Sequence, residues 1–125
     1  MDVVVRRLRA EDIDYINLHG TGTRSNDASE GKAVHDLFGR NTPASSIKGA
    51  LGHTLGACGI QEAVACLLAI ENGFVPGSAS TQTVDPAIEV DYAVENRPAR
   101  VARAMSNSFG FGGSNCTLVF GRLPA

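Results

Sequence analysis

The sequence predicts a mixed α/β fold, a sheet covered by helices, and three observations carry that prediction. Short apolar stretches of strand character alternate with helix-periodic segments. The last two strand-like stretches, Val101 to Met105 and Cys116 to Phe120, are joined by a Phe-Gly-Phe-Gly-Gly turn and read as a closing hairpin. One helical stretch is apolar on nearly every side, as a helix enclosed between layers is. With 125 residues, 43% of them hydrophobic and 19% charged, residues 1–125 make a single domain of ordinary globular composition.

Taken in order, Ile13 to Leu18 alternates apolar and polar residues and reads as the first strand. Asp27 and Glu30 have capping-box spacing, and Val34, Leu37 and Phe38 form an apolar i, i+3, i+4 stripe that Gly39 ends. Thr42-Pro43 is a turn. Ser45 to Ile47 is a short strand delivering Lys48. From about Leu55 to Glu71 the pattern is helical, with only Gln61 and Glu62 polar between Ile60 and Ile70, and Asn72-Gly73 closes it. An irregular connection from Val75-Pro76-Gly77 leads to Ile88 to Val94, which alternates like an edge strand. The all-round apolar helix calls for another layer of chain beyond the sheet.

Composition excludes several classes of function. A formal net charge of −2 and no basic cluster argue against nucleic acid as a partner. The longest unbroken apolar run, Ala63 to Ile70, is too short to cross a bilayer, so no membrane role is expected. The start of the chain lacks the order of a secretory signal. Cys58, Cys66 and Cys116 are odd in number and lack CxxC spacing, which argues against disulfides or zinc and fits a reducing cytoplasm.

Three polar, glycine-flanked motifs carry the chemistry: His19-Gly-Thr-Gly-Thr23, Lys48-Gly-Ala-Leu-Gly-His53 and Asn107-Ser-Phe-Gly-Phe-Gly-Gly-Ser-Asn115. Two imidazoles, an ammonium and a Phe/Gly turn suit stabilisation of a developing enolate on a thioester. His19 follows the first strand, with Thr21 and Thr23 placed to line a polar channel; the alternative is a loop histidine satisfied by water. His53 precedes the apolar helix, whose positive end would keep the ring neutral and able to donate an N–H if the helix begins near Thr54. Lys48, partly buried, needs a carboxylate, for which Glu30 is the candidate; a solvated lysine and a capping histidine are the alternative. Phe109 and Phe111, with Gly110 and Gly112, are costly to leave wet and read as a gate or pocket wall rather than a plain hairpin loop. That turn is not a nucleotide fingerprint, because it lacks the last spaced glycine of GxGxxG and precedes a strand. Asn17, Glu62, Ser106 and Asn107 are polar in stretches expected to be buried. Their oxygens suit a hard cation or, equally, a satisfied hydrogen-bond cluster. Cys58 reads as a small buried hydrophobe rather than a nucleophile, Cys66 and Cys116 as core, and His35 as surface.

Over about Asp12 to Phe120 these motifs resemble the C-terminal half of β-ketoacyl-acyl carrier protein synthases, condensing enzymes of the thiolase fold. The matching runs are Asn17-x-His-Gly-Thr-Gly-Thr-x3-Asp27-x2-Glu30, Lys48-x4-His53-x2-Gly-Ala-x-Gly59 and Ser106-Asn-Ser-Phe-Gly-Phe-Gly-Gly-Ser-Asn115. The resemblance implies a thiolase-like half-fold: a mixed, mostly parallel five-stranded sheet with helices on both faces and a buried central helix. It implies decarboxylative condensation of malonyl-carrier protein with an acyl thioester, in fatty-acid or polyketide-like chain elongation. His19 and His53 would hydrogen-bond the malonyl thioester carbonyl, and Lys48 would hold the site through Glu30. Thr21 and Thr23 would contact the phosphopantetheine of acyl carrier protein. The Phe111 amide would serve the oxyanion hole while its ring, beside Phe109, Gly110 and Gly112, gates the acyl pocket.

No dissociable cofactor is required by that chemistry, although some members hold a structural cation at positions matching Asn17, Glu62, Ser106 and Asn107. The family's nucleophilic cysteine belongs to an N-terminal half with no match here, so the chain alone is expected to be inactive. The partners implied are acyl carrier protein, that N-terminal half and a second copy in a homo-oligomer. A non-catalytic partner subunit that sets chain length or docks carrier protein, and an ordinary Gly-rich ligand-binding domain, are the competing readings.

Overall fold

The computed structural model describes residues 7–122. Its strands are β1 (Tyr15–Asn17), β2 (Pro43–Ser45), β3 (Phe74–Val75), β4 (Asp91–Tyr92), β5 (Arg97–Pro98), β6 (Arg103–Phe109) and β7 (Asn115–Gly121). The helices are α1 (Arg24–Phe38), the single turn α2 (Lys48–Leu51) and α3 (Cys58–Asn72). Five strands form the main sheet in the order β4-β2-β1-β6-β7, and β3 pairs with β5 in a separate ribbon. Within the main sheet β1 runs parallel to β2 and β6, β2 parallel to β4, and only the β6–β7 hairpin is antiparallel. The sheet is therefore mixed and mostly parallel, as expected.

The period-2 alternation of β1 decides which helix covers which face. Tyr15 packs with Cys66, Ala69 and Ile70 of α3 and with Ala104 of β6. Ile16, next in the chain, packs on the opposite side with Val34 and Phe38 of α1, Ala44 of β2 and Val90. Helices thus lie on both faces. Burying a side chain such as Ile16 completely contributes about 1.5–3 kcal/mol each time. The same burial pushes the Tyr15 phenol well above its ordinary range and the Cys66 thiol up to about 12, because neither charged form is solvated there.

Several boundaries differ from the sequence expectation. Helix α1 begins at Arg24, with the Thr23 hydroxyl accepting the Asn26 N–H as its N-cap, so Asp27 lies within the first turn rather than capping it. Leu37 of the predicted stripe is 70% exposed. The strand expected over Ile88 to Val94 is reduced to Asp91–Tyr92, at the sheet edge. Lys48 opens the short turn α2 instead of following a strand directly.

The central helix is covered on one side in this chain, and its other face is left open for the further layer that the sequence calls for. Only one face of α3 is buried, through Cys58, Glu62, Ala63, Cys66, Ala69 and Ile70. Ile60, Val64, Leu67 and Leu68 on the other face are 66%, 47%, 50% and 45% exposed. Cys116, expected in the core, is exposed on β7. The stretch Leu55–Asn72 has mean hydropathy 1.2 and is long and apolar enough to cross a membrane, but it serves here as the core helix of the sheet and carries the buried Glu62.

Candidate active site

The three motifs meet at the C-terminal ends of β1 and β6. Strand β1 delivers His19 two residues after its end, and β6 delivers Phe109 as its last residue. The His19 ring lies 5.7 Å from the His53 ring, edge to face, and 5.3 Å from the Phe109 ring. Two histidines 34 positions apart in the chain thus converge beside the Phe/Gly turn.

Each ring has its Nδ1 occupied by donors. His19 Nδ1 accepts the Phe109 backbone N–H at 3.3 Å, with Lys48 Nζ at 3.4 Å. His53 Nδ1 accepts the Leu55 N–H at 3.2 Å and lies 3.1 Å from Cys58 Sγ. A neutral imidazole whose Nδ1 accepts carries its proton on Nε2, so both rings present an Nε2–H as donor. Burial first, and the Lys48 ammonium second, hold the His19 pKa below 6.5, which keeps that ring in the donating neutral form. His53 lies five residues ahead of α3 rather than at its first turn. Direct contacts from Leu55 and Cys58, not the helix field, therefore set its donor.

Lys48 finds its carboxylate in Glu62, not in Glu30. Its ammonium pairs with Glu62 Oε1, the two side chains being 6% and 1% exposed. Glu62 Oε2 accepts the Ser108 hydroxyl at 3.1 Å. Glu30 does something else: its two oxygens accept the backbone N–H groups of His19 at 2.8 Å and Gly20 at 2.9 Å. Asn107 Nδ2 adds a third bond at 3.2 Å. Glu30 therefore fixes the loop that carries His19. The tight turn needs glycine: Gly20 has φ +46°, and a Cβ there would lie 2.5 Å from Ser46 Cβ.

The oxygens proposed for a cation divide. Asn17 and Ser106 are register neighbours across β1 and β6, and Ser106 Oγ is the one buried side-chain polar atom without a hydrogen-bond partner among the described residues. Asn107 joins Glu30 and accepts the Thr117 hydroxyl at 2.9 Å. Glu62 spends both oxygens on Lys48 and Ser108, so the predicted foursome is not gathered as one set. The buried, unpartnered Ser106 hydroxyl still suits a hard cation. Among the described residues no three His, Cys, Asp or Glu side chains cluster as metal ligands.

A cavity of about 450 Å³ opens onto Lys48, His53 and Thr21, with the hydroxyls of Ser80, Thr81 and Thr83 also in its wall. Thr23 is not in that wall; it caps α1, and its hydroxyl lies 3.0 Å from that of Thr21. Phe111 is 97% exposed in a turn whose Gly112 and Gly113 have φ of +80° and +85°. Sequence reading missed Ser108 and underrated Cys58, both of which touch the site. Ser108 carries no motif signal beyond its place between Asn107 and Phe109.

Both the sequence and the fold match those of β-ketoacyl synthases. Residues 5–82 match the family model for the β-ketoacyl synthase C-terminal domain, and the chain belongs to that family. It is 43% identical over 113 residues to 3-oxoacyl-[acyl-carrier-protein] synthase 1 of Escherichia coli, covering 89% of this chain and 28% of that protein. A solved β-ketoacyl synthase from Burkholderia phymatum superposes with a TM-score of 0.88 at 39% identity, covering 94% of this chain and 29% of the other. A ketosynthase of Xenorhabdus doucetiae, solved with its chain length factor, gives 0.84 at 41% identity over 91% of this chain and 29% of that one. The chain thus spans under a third of the length of these relatives.

Proposed function

We propose that this chain supplies the decarboxylation side of a ketosynthase site acting on malonyl-acyl carrier protein in the cytoplasm. The observation that carries the reading is the pair of imidazoles 5.7 Å apart, each with Nδ1 occupied and Nε2–H left to donate. In that reading the bond from Cα to the malonyl carboxylate breaks, carbon dioxide leaves, and the electron pair becomes the thioester enolate. The two N–H donors meet the oxygen on which that charge develops, worth about 3–4 kcal/mol per donor. The enolate then attacks an acyl thioester, and the acyl–sulfur bond breaks. Lys48, held by Glu62, orients His19, and burial together with the Lys48 ammonium keeps that ring unprotonated. Thr21 faces the pantetheine arm, and the Phe111 amide and ring serve the acyl carbonyl and its pocket together with Phe109, Gly110 and Gly112.

In this proposal the cysteine that takes up the acyl chain comes from another part of the synthase. Of the cysteines here, Cys66 is buried with a raised pKa and Cys58 is buried against His53. A structural cation would draw on the Ser106 hydroxyl, left without a partner in the sheet, and on Asn17 beside it. The synthase would elongate acyl chains of the fatty-acid type and work as a homo-oligomer. A second reading, a partner subunit without catalysis, draws on the chain length factor seen with the Xenorhabdus doucetiae ketosynthase. The complete set of His19, Lys48 and His53 favours the catalytic reading, because a subunit that only binds does not need it.

The test is carbon dioxide release from malonyl-carrier protein by this chain combined with the remainder of a ketosynthase. Release is expected, and His19→Ala or His53→Ala should each lower it about 10²- to 10³-fold. No release from the combined protein, or full release in both variants, would overturn the proposal.

A further inference from the structure

Cys58 takes no part in the chemistry above, yet its thiol lies against the ring that does. It is the first residue of α3 and only 6% exposed, with Sγ 3.1 Å from His53 Nδ1. The Leu55 N–H reaches the same nitrogen at 3.2 Å. To aim that amide, Leu55 adopts φ +54°, the one left-handed non-glycine among the described residues. L-residues avoid this region, and it is held only where surrounding structure dictates it. The Thr54 hydroxyl donates to Gln61 Oε1 at 2.7 Å and is 3.4 Å from the sulfur. With the hydroxyl proton committed to Gln61, the thiol keeps its own proton for the imidazole. His53 itself is exposed in this chain, and among the described residues the two donors on Nδ1 and the edge of the His19 ring are what restrain it.

We propose that Cys58 is a positioning residue: with the Leu55 amide it clamps Nδ1, holding His53 in the Nε2–H tautomer and edge-on to His19. The clamp is a local fact of this chain; only its catalytic consequence rests on the ketosynthase reading. Alanine and valine at position 58 remove the donor, whereas serine keeps one.

The experiment uses the chain labelled with ¹⁵N-histidine and long-range ¹H–¹⁵N correlation at mildly alkaline pH, with His53 assigned by His53→Gln. In the parent chain Nδ1 of His53 should read as unprotonated. In Cys58→Ala the Nδ1–H population should rise about two- to tenfold, as loss of one neutral hydrogen bond implies. Cys58→Val should do the same, and Cys58→Ser should stay at or near the parent. In the combined protein the Ala variant should lower kcat for malonyl decarboxylation in proportion to the share of the Nε2–H form it loses, with KM unchanged, and Ser should restore it. Parent-like spectra in both Ala and Val, or a Ser variant indistinguishable from Ala, would overturn the proposal. A tautomer change in a protein that releases no carbon dioxide would support the clamp and remove the ketosynthase reading.

Discussion

Replacing Glu62 by Gln tests the buried ion pair on which the site is built. The Lys48 and Glu62 side chains are 6% and 1% exposed, so neither charge is compensated by water. Breaking such a pair from one side typically costs about 3–5 kcal/mol, because the remaining ion stays buried and unpaired. The substitution also weakens the bond from Ser108, which then meets a neutral amide. Against a domain stability of about 5–15 kcal/mol this is roughly a fifth or more of the total. Urea unfolding followed by circular dichroism should show the midpoint falling with little change in slope. The double variant Lys48→Met/Glu62→Leu should recover most of the loss, since two apolar groups leave no stranded charge. Lys32 and Asp36 supply the control: they pair at 2.7 Å on the surface, where Asp36→Asn should cost about 0–1 kcal/mol. A Glu62→Gln cost no larger than that control would refute the argument that burial, not distance, sets the worth of this pair.

Other consequences are as direct. Burial and Lys48 depress the His19 pKa below 6.5, so the unfolded chain binds the proton first as pH falls. Stability from this group is complete above 6.5 and lost as pH drops toward the lowered folded value; His19→Gln should flatten that part of a pH–stability curve. Gly20→Ala should destabilise the chain and disturb the His19 loop, because a Cβ there meets Ser46 and φ is +46°; a thermal midpoint equal to that of the parent would contradict the close approach. With Ile60, Val64, Leu67 and Leu68 exposed on one helix face, the chain alone should self-associate, and light scattering of a clean monomer at high concentration would contradict this.

How much was legible follows from what each residue type signals. The alternation in β1 and the hairpin signal around Phe109 and Phe111 gave the sheet, since both depend on local pattern. The convergence of His19 and His53 was legible because glycine-flanked polar motifs rarely serve a core. Lys48's partner was misjudged for a physical reason. Glu30 and Glu62 both lie in helices near the site, and only the fold shows that Glu30 is consumed by two backbone amides. An acid set among the apolar residues of a helix interior, as Glu62 is, was the better signal. The apolar composition of α3 on all sides signalled a further layer of chain, and the open Ile60, Val64, Leu67 and Leu68 face agrees with it. Leu55's left-handed backbone leaves no trace in sequence, and with it the manner of holding His53 stayed hidden.

The amide of Phe109 ends strand β6 and at the same time reaches His19. Two glycines of positive φ lie just beyond it, giving the tip of the hairpin freedom that the paired strand lacks. A guest molecule that pushes the aromatic tip aside pulls on the same peptide unit that anchors the imidazole. In the ketosynthase proposed above, entry of one reactant would thereby be linked to the poise of the group awaiting the other.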